Sequence, residues 1–319
     1  AFVQKEWKNQ TRSPFDWQGF AAIVLFMPLA IYALARGNSP SNPGGWSAPE
    51  VIGCFIVAGA ALAWFIVAEL RNPAPLLQIR LLAERNFGIS MAVLTLFAIG
   101  MLGGTYLLPL YMQRGLGYTA LAAGSMFLPV GVIQGVLSAV SGYLTRYVRP
   151  LLLSAAGILI MALSFWLASR FTLHTTHGHI LFILYLRGFG MGLTFAPLNL
   201  FSLKNLTQQD MAAAAGISNS IKQLAGSIGI ALLTVIFSAR TSYHAAHETV
   251  SAAQTYVEGV TDALRVVAVI TLAALLPLLG VFRKKRPGKS GVKGAATPSP
   301  GEAVSGKTDK TTIYRTKPE

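Results

Sequence analysis

Residues 180–233 read ILFILYLRGFGMGLTFAPLNLFSLKNLTQQDMAAAAGISNSIKQLAGSIGIALL. Two long apolar segments flank a short polar loop, a pattern that predicts two antiparallel membrane helices. Each segment carries one permanent cation inside its apolar run, Arg187 in the first and Lys222 in the second. A charge at the centre of a membrane helix costs roughly 2.5–3.5 kcal/mol on insertion scales, so it is kept where a cavity or a partner receives it. No carboxylate lies in either segment. The balancing group is therefore another helix, water or an anionic ligand. The alternative is that both side chains reach the interface or bond to backbone carbonyls.

The rest of the chain follows the same grammar. Of its 319 residues 53% are hydrophobic and only 12% charged, about half the charge of a soluble domain, and the mean hydropathy is +0.53. Apolar runs of about twenty residues then predict an integral, all-α polytopic membrane protein. Eight spans are expected, at 17–35, 51–68, 87–111, 120–141, 151–168, 180–203, 211–238 and 263–282. Pro109 is expected to bend the third span, and a polar loop to occupy 239–260. Gly100, Gly103 and Gly104, Gly131 and Gly135, Gly188, Gly190 and Gly192, and Gly226 and Gly229 read as close-packing positions, in a moving bundle or a static one.

The net charge of +14 is uneven, with +7 in residues 283–319 alone. One set of loops holds Lys5, Lys8, Arg12, Arg71, Arg80, Arg85, Arg146, Arg149, Lys204 and the Arg283 cluster. The opposite set holds Arg36, Arg114, Arg170 and Arg240, one per loop. Excess Lys/Arg marks the cytoplasmic side, so both termini are expected there. The five histidines are then expected in external loops. The basic balance reads as membrane-flanking charge, with no nucleic-acid partner. The single cysteine, Cys54, can form no intrachain disulfide and is expected to pack as a small apolar side chain. The chain opens on Ala1 with no signal-peptide pattern, and is expected to begin in mid-protein.

Enzymatic signatures are missing. There is no G-x-S-x-G and no H-E-x-x-H. His174, His177 and His179 have metal-like spacing but no neighbouring Cys or acid, and no metal or other cofactor is expected. Pro287-Gly-Lys289-Ser290 echoes a phosphate loop, but Arg283 stands where that motif needs Gly and no strand precedes it.

An ordered series of short stretches resembles the EmrB/QacA-type drug:proton antiporters, the fourteen-span group of the major facilitator superfamily. The series runs FDWQGF, GGWSAPEV, ELRNPAPLLQIRLLAERNFGIS, TYLLPLYMQRGLGYTALAAGSMFLPVG, LRGFGMGLTFAPLN and ISNSIKQLAGSIGIA, across residues 14–282. The resemblance implies two linker helices at 17–69 and a C-terminal six-helix bundle at 87–282. Around these it implies a cytoplasmic linker at 1–16, an amphipathic cytoplasmic loop at 70–86 and a disordered basic tail at 283–319. The six N-terminal spans of that family are absent here.

Residues 142–149 resemble a degenerate copy of the superfamily's cytoplasmic gating motif G-x-L-x-D-R-x-G-R, carried by Gly142, Arg146 and Arg149, with Thr145 replacing the acid and Val148 the glycine. Lys222 stands where the family has Arg. All twelve acids fall in loops, tails or span ends. Proton relays in membranes commonly use buried Asp, Glu or His, so the resemblance implies that a coupling carboxylate belongs to the N-terminal half.

At 1.5 Å per residue, Arg187 lies on the order of 10 Å from the external face and Lys222 about 15–18 Å from the cytosolic face. Both are expected near the midplane, where superfamily transporters bind substrate between their halves. The resemblance puts spans three, four, six and seven around that cavity. Its candidate lining is Arg187, Lys222, Tyr106, Phe127, Gln134, Phe195, Asn219 and Gln223. Aromatics with a few polar groups suit amphipathic small molecules, although each aromatic could equally pack on helix or lipid and each amide bridge two helices.

The expected function is the C-terminal part of a secondary-active, proton-coupled exporter of small amphipathic compounds in a bacterial inner membrane. Its expected partners are the lipid bilayer, the small-molecule substrate, the N-terminal six-helix half and, as in some relatives, a periplasmic adaptor protein. The rival readings are a dedicated metabolite exporter of the same superfamily, and a membrane scaffold or enzyme of unrelated class.

Overall fold

The computed structural model describes residues 17–37, 42–71, 79–208, 210–247 and 251–283. The expectations for 1–16, for 72–78 of the 70–86 loop and for 284–319 of the tail lie outside the described residues, and Ile79–Ala83 form a short 3-10 turn. Within them the chain is helical, with no strand. Ten helices are described: α1 Trp17–Gly37, α2 Pro49–Arg71, α3 Arg85–Leu110, α4 Ala120–Ser125, α5 Leu128–Leu144, α6 Pro150–Ala168, α7 His177–Leu203, α8 Met211–His247, α9 Ala252–Ala273 and α10 Leu275–Arg283. They make eight elements long and apolar enough to cross a membrane, because α4 with α5, and α9 with α10, each act as one broken span.

Helix ends fall where the sequence supplies caps. Glu84 accepts a hydrogen bond from the Phe87 amide at the start of α3, Thr119 from Ala122 at α4, and Ser251 from Gln254 at α9, each satisfying an otherwise orphaned N–H. Pro150 opens α6 at a position where its missing N–H costs nothing. Three interior prolines stand at breaks, where their absent donor interrupts the ladder, while Pro28 and Pro197 lie within continuous α1 and α7. Just past Pro109, α3 gives way to a π-helical turn, Tyr111–Gly115. The break between α4 and α5 at Met126 and Phe127 precedes Pro129. The break at Ala274 precedes Pro277.

Helices α1 and α2 form a hairpin of their own. Arg36 Nε meets Glu50 Oε1 at 2.9 Å across its mouth. Asn42 donates to the carbonyls of Arg36 and Gly45, and Gly45 takes a left-handed φ of +49°. Trp46 lies against Gly37, where a Cβ would come within 2.6 Å of the indole.

The remaining helices share one core, centred on α3, α6 and α7. Glycine sets the closest crossings. At α6–α7, a Cβ on Gly190 would lie 2.9 Å from the Gly157 carbonyl, and one on Gly157 2.7 Å from the Gly190 carbonyl. Gly229 approaches the Ile99 carbonyl, joining α8 to α3, and Gly192 the Gln134 carbonyl, joining α7 to α5. Two of the expected packing glycines do not behave so. Gly131 and Gly135 on α5 have nothing within 4 Å of their Cβ positions, because α5 packs on α7 and leaves its other side uncovered.

The expected polar loop at 239–260 is the clearest correction. Helix α8 continues without a break to His247, and α9 begins at Ala252. Charged residues there pair within and between the two helices instead of lying in a loop, while Thr241 Oγ1 and the Tyr256 hydroxyl are buried without a hydrogen-bond partner among the described residues. His244 Nε2 lies 3.1 Å from Asp262 Oδ2, Arg265 Nη1 donates to Asp262 Oδ1 at 2.8 Å, and Arg240 lies 3.7 Å from Asp262. Gly259 lets Thr241 approach closely beneath them.

Candidate functional site

Arg187 lies inside the bundle, 2% exposed. Its Nη2 donates to the Met101 carbonyl at 3.1 Å and to Thr105 Oγ1. The guanidinium sits over the Phe165 ring at 5.7 Å, within cation–π range. It thus ties α7 to α3 and α6. Its Nε and Nη1 are buried with no hydrogen-bond partner among the described residues, and no carboxylate pairs with it. Thr105, Met101 and Phe165 were not among the expected site residues; a lone Thr on an apolar helix gives no signal until a donor is known to face it.

Lys222 is half-buried on α8 and makes no ion pair among the described residues. Its depth follows from the α3–α8 contacts. Ser218 reaches the Met91 sulfur at 3.5 Å, and Gly229 meets Ile99. Lys222 therefore stands level with the stretch of α3 between those residues. Arg187 bonds further along, at Met101 and Thr105, so the two cations are separated by roughly 10 Å along the bundle. Lys222 is nearer the end that holds Arg85, Arg146 and Lys204. The two sit less nearly level than the sequence predicts, and they occupy different settings.

The other candidates divide in the same way. Asn219 and Gln223 are exposed and Ser227 half-exposed. With spacing of four they form a polar stripe along α8, with Lys222 at its edge. Tyr106 is exposed on α3. Phe127 is half-buried at the α4–α5 break, and Gln134 half-buried on α5. Phe195 is half-buried and packs edge-on against Phe97, with ring centroids 5.5 Å apart. The structure thus brings Lys222, Asn219 and Gln223 onto one helix face and directs Arg187 away into the core.

In the 142–149 loop, Gly142 is half-buried and Arg146 and Arg149 are exposed. Arg146 stacks over Tyr143 at 5.2 Å, and Thr145 donates back to the Gly142 carbonyl at 2.6 Å. The Tyr143 and Tyr147 hydroxyls lie 3.2 Å apart, and that hydrogen bond raises the Tyr147 phenol above its ordinary pKa. The described residues hold no group of three His, Cys, Asp or Glu placed to bind a metal.

The sequence that builds these helices matches a known family. Residues 15–230 match the Major Facilitator Superfamily. The chain belongs to that superfamily. It is 31% identical over 241 residues to the multidrug export protein EmrB of Escherichia coli K12, a match covering 75% of this chain and 46% of that protein. It is 29% identical over 234 residues to the fatty acid resistance protein FarB of Neisseria gonorrhoeae, covering 73% and 45%. An uncharacterized MFS-type transporter of Bacillus subtilis, YhcA, is 30% identical over 212 residues, covering 66% and 40%. The chain thus matches less than half the length of each of these three relatives. Among solved structures, a bacterial homologue of the human lysosomal transporter Spinster, inward-facing and occupied, superposes with a TM-score of 0.53 at 13% identity. That match covers 82% of this chain and 66% of that one, a likeness of fold alone. The resemblance to EmrB-type drug transporters and the all-helical polytopic fold are as the sequence predicts.

Proposed function

We propose that this chain is the linker hairpin and C-terminal bundle of a secondary-active exporter of small amphipathic compounds. It would lie in a bacterial inner membrane with its C-terminus in the cytoplasm. The observation that carries the reading is the uncovered polar stripe of α8. Amides and an ammonium facing hydrocarbon would each be unsatisfied at a cost of several kcal/mol, on the order of a whole domain's net stability when summed. Such a face is stable against water or against further protein. In their most apolar stretches only 22% of α8 and 17% of the α4–α5 span are buried, against 61% of α3, so α5 and α8 leave room for a second bundle to meet this one.

In this reading an N-terminal six-helix half covers α5 and α8, and the substrate passes between the halves near the midplane as they rock. Lys222, Asn219, Gln223, Tyr106, Phe127, Gln134 and Phe195 line the path. Arg187 acts from behind the wall, as a buried charge held by Met101 and Thr105. Proton coupling is assigned to a carboxylate of the N-terminal half, since the described spans carry none at mid-depth. The 142–149 loop, with Gly142, Arg146 and Arg149, serves as a gating contact at the cytoplasmic end. A periplasmic adaptor is a compatible further partner. The export and resistance names of EmrB and FarB support this class of activity.

The test is Lys222→Ala in the full-length protein. Efflux per molecule in the membrane should fall about tenfold, the loss of one charge contact, while abundance is kept. Equal losses of efflux and abundance would make Lys222 a structural residue.

A further inference from the structure

We propose that the outer groove between α6 and α9 is a binding site for one resident anionic phospholipid of the bilayer, with an acyl chain in the groove and the headgroup phosphate between Arg170 and Arg265. The lipid is a fixed neighbour and not cargo, so the site stands whatever the chain exports.

Helix α3 serves as a ruler for its height. It meets Thr271 of α9 at Gly100, Phe165 of α6 at Gly104, Thr172 at Tyr111 and Val257 of α9 at Gly115. Rising numbers on α6 and falling numbers on α9 therefore climb together toward Gly115. That is the end opposite Arg85, Arg146 and Lys204, the outer leaflet in the orientation proposed above. At 1.5 Å per residue Arg265 stands about 9 Å above Thr271, level with Tyr106, and Arg170 about 7 Å above Phe165, level with Pro109. The two arginines share a level to within about 5 Å. By the same count Leu159 and Leu272, at the deep end of the groove, lie near Ala98 and Ile99, the middle of the Arg85–Gly115 span. From there to the arginines is roughly 13 Å, close to half of a hydrocarbon core of about 30 Å. The groove has the height of one leaflet.

The residues match that occupant from tail to head. Leu159, Leu163, Trp166, Val269 and Leu272 line about 330 Å³ with almost no polar atom, room for an alkyl chain and for no hydrogen-bonding group. Spacing of three and four puts Arg170 over Leu159, Leu163 and Trp166 on α6, and Arg265 over Val269 and Leu272 on α9. Trp166 is 45% exposed just below them, where an indole suits the membrane interface. Arg170 is exposed and makes no ion pair among the described residues. Arg265 gives one nitrogen to Asp262 at 2.8 Å, and its side chain stays 57% exposed. Asp262 is shared with Arg240 at 3.7 Å, so it does not cancel Arg265. Two guanidinium forks at one level suit a phosphate, which each can grip with paired N–H donors. A zwitterionic head would bring its own cation to the same place; an anionic head brings none.

The test places the full-length protein in symmetric vesicles, so it holds for either orientation. The host lipid is dioleoylphosphatidylcholine. A rising fraction is replaced by dibrominated phosphatidylglycerol or, in a second series, by dibrominated phosphatidylcholine. Bromine quenches a tryptophan that it touches, and the part of the emission lost in Trp166→Phe reports the groove. The expected result is half-quenching of Trp166 at about fivefold less phosphatidylglycerol than phosphatidylcholine, with no such preference in the emission of Trp166→Phe. Arg170→Gln should remove most of the preference, and Arg170→Lys should keep part of it. Arg265→Gln should act like Arg170→Gln; because it also takes a partner from Asp262, Arg170→Gln decides alone where that variant does not fold. Equal quenching by the two lipids overturns the proposal. So does a preference that survives Arg170→Gln unchanged, or one that all the tryptophans share. Trp166 quenched by neither lipid overturns it too, and would mean that protein, such as a second copy of the chain, covers the groove.

Discussion

Two of the outward faces of this molecule are built from opposite materials. Along α6 and α9 the outer surface is Leu159, Ala162, Leu163, Trp166, Ala268, Val269 and Leu272, a shallow groove with almost no polar atom. Along α8 it is Asn219, Gln223 and Ser227 with Lys222 beside them. In water both could be surface. In a bilayer only the first can face lipid, because hydrocarbon offers an amide or an ammonium no partner. The difference shows that exposure in a membrane protein has two meanings, contact with lipid and contact awaiting protein or water. Polarity at mid-depth tells them apart.

The contrast is broken most directly by moving a charge. Leu163→Lys on the α6–α9 face should lower membrane abundance severalfold, in line with roughly 2.5–3.5 kcal/mol for a mid-helix lysine. Asn219→Lys on α8 should leave abundance near wild type. Comparable losses, measured by immunoblot of the membrane fraction, would erase the distinction. A smaller effect sharpens the same comparison at backbone level. Gly190→Ala would place a methyl 2.8 Å from the Met161 amide nitrogen, and should destabilise by about 1–3 kcal/mol through overpacking. Gly135→Ala meets nothing within 4 Å and should leave the Tm in detergent unchanged. If Gly135→Ala lowers the Tm as much, that side of α5 is already packed in the whole protein. The smallest effects belong to the histidines. Replacing His174, His177 and His179 together should leave transport unaltered, and a loss that added metal reverses would restore a metal site there. His244→Gln should cost about 1 kcal/mol, the worth of one hydrogen bond to Asp262, read as a small drop in Tm.

Much of the fold was legible because hydrophobic length is the dominant signal for a membrane span. All eight spans stand near their expected places, and Pro109, Pro129 and Pro277 stand at the breaks, while Pro28 and Pro197 lie inside unbroken helices. What hydropathy cannot see is a helix that goes on after leaving the apolar layer. Residues 239–260 read as loop because Arg240, Thr241, His244 and Glu258 are polar, with Asp262 just beyond. Yet their spacing of four along each of two facing helices is the signature of a charged helical pair. The packing glycines were legible where the partner helix lies within this chain, as at Gly190, and not at Gly131 and Gly135, where spacing alone cannot say whether a partner exists. For the site, sequence put Arg187 and Lys222 both at mid-depth, and it was the resemblance alone, with no azimuth from the residues, that set both on the cavity wall. Arg187 turned inward because Met101 and Thr105, four residues apart on α3, present a carbonyl and a hydroxyl together. The outward stripe of α8 could have been found from the four-residue recurrence of Asn219, Gln223 and Ser227.

Helix α8 differs from its neighbours in one more respect. Its 37 residues contain no proline and no interruption, while α3, α5 and the α9–α10 span are each broken or relaxed near one. At 1.5 Å per residue it is a rod about 55 Å long, longer than the hydrocarbon core is thick. A rod of that length acts as a lever. A tilt of about 10° carries one end roughly 10 Å sideways relative to the other, so a small rotation near Lys222 becomes a large displacement at the His244–Asp262 cluster. The same stiffness works in reverse: whatever grips the far end of the α8–α9 pair holds the angle of the stripe.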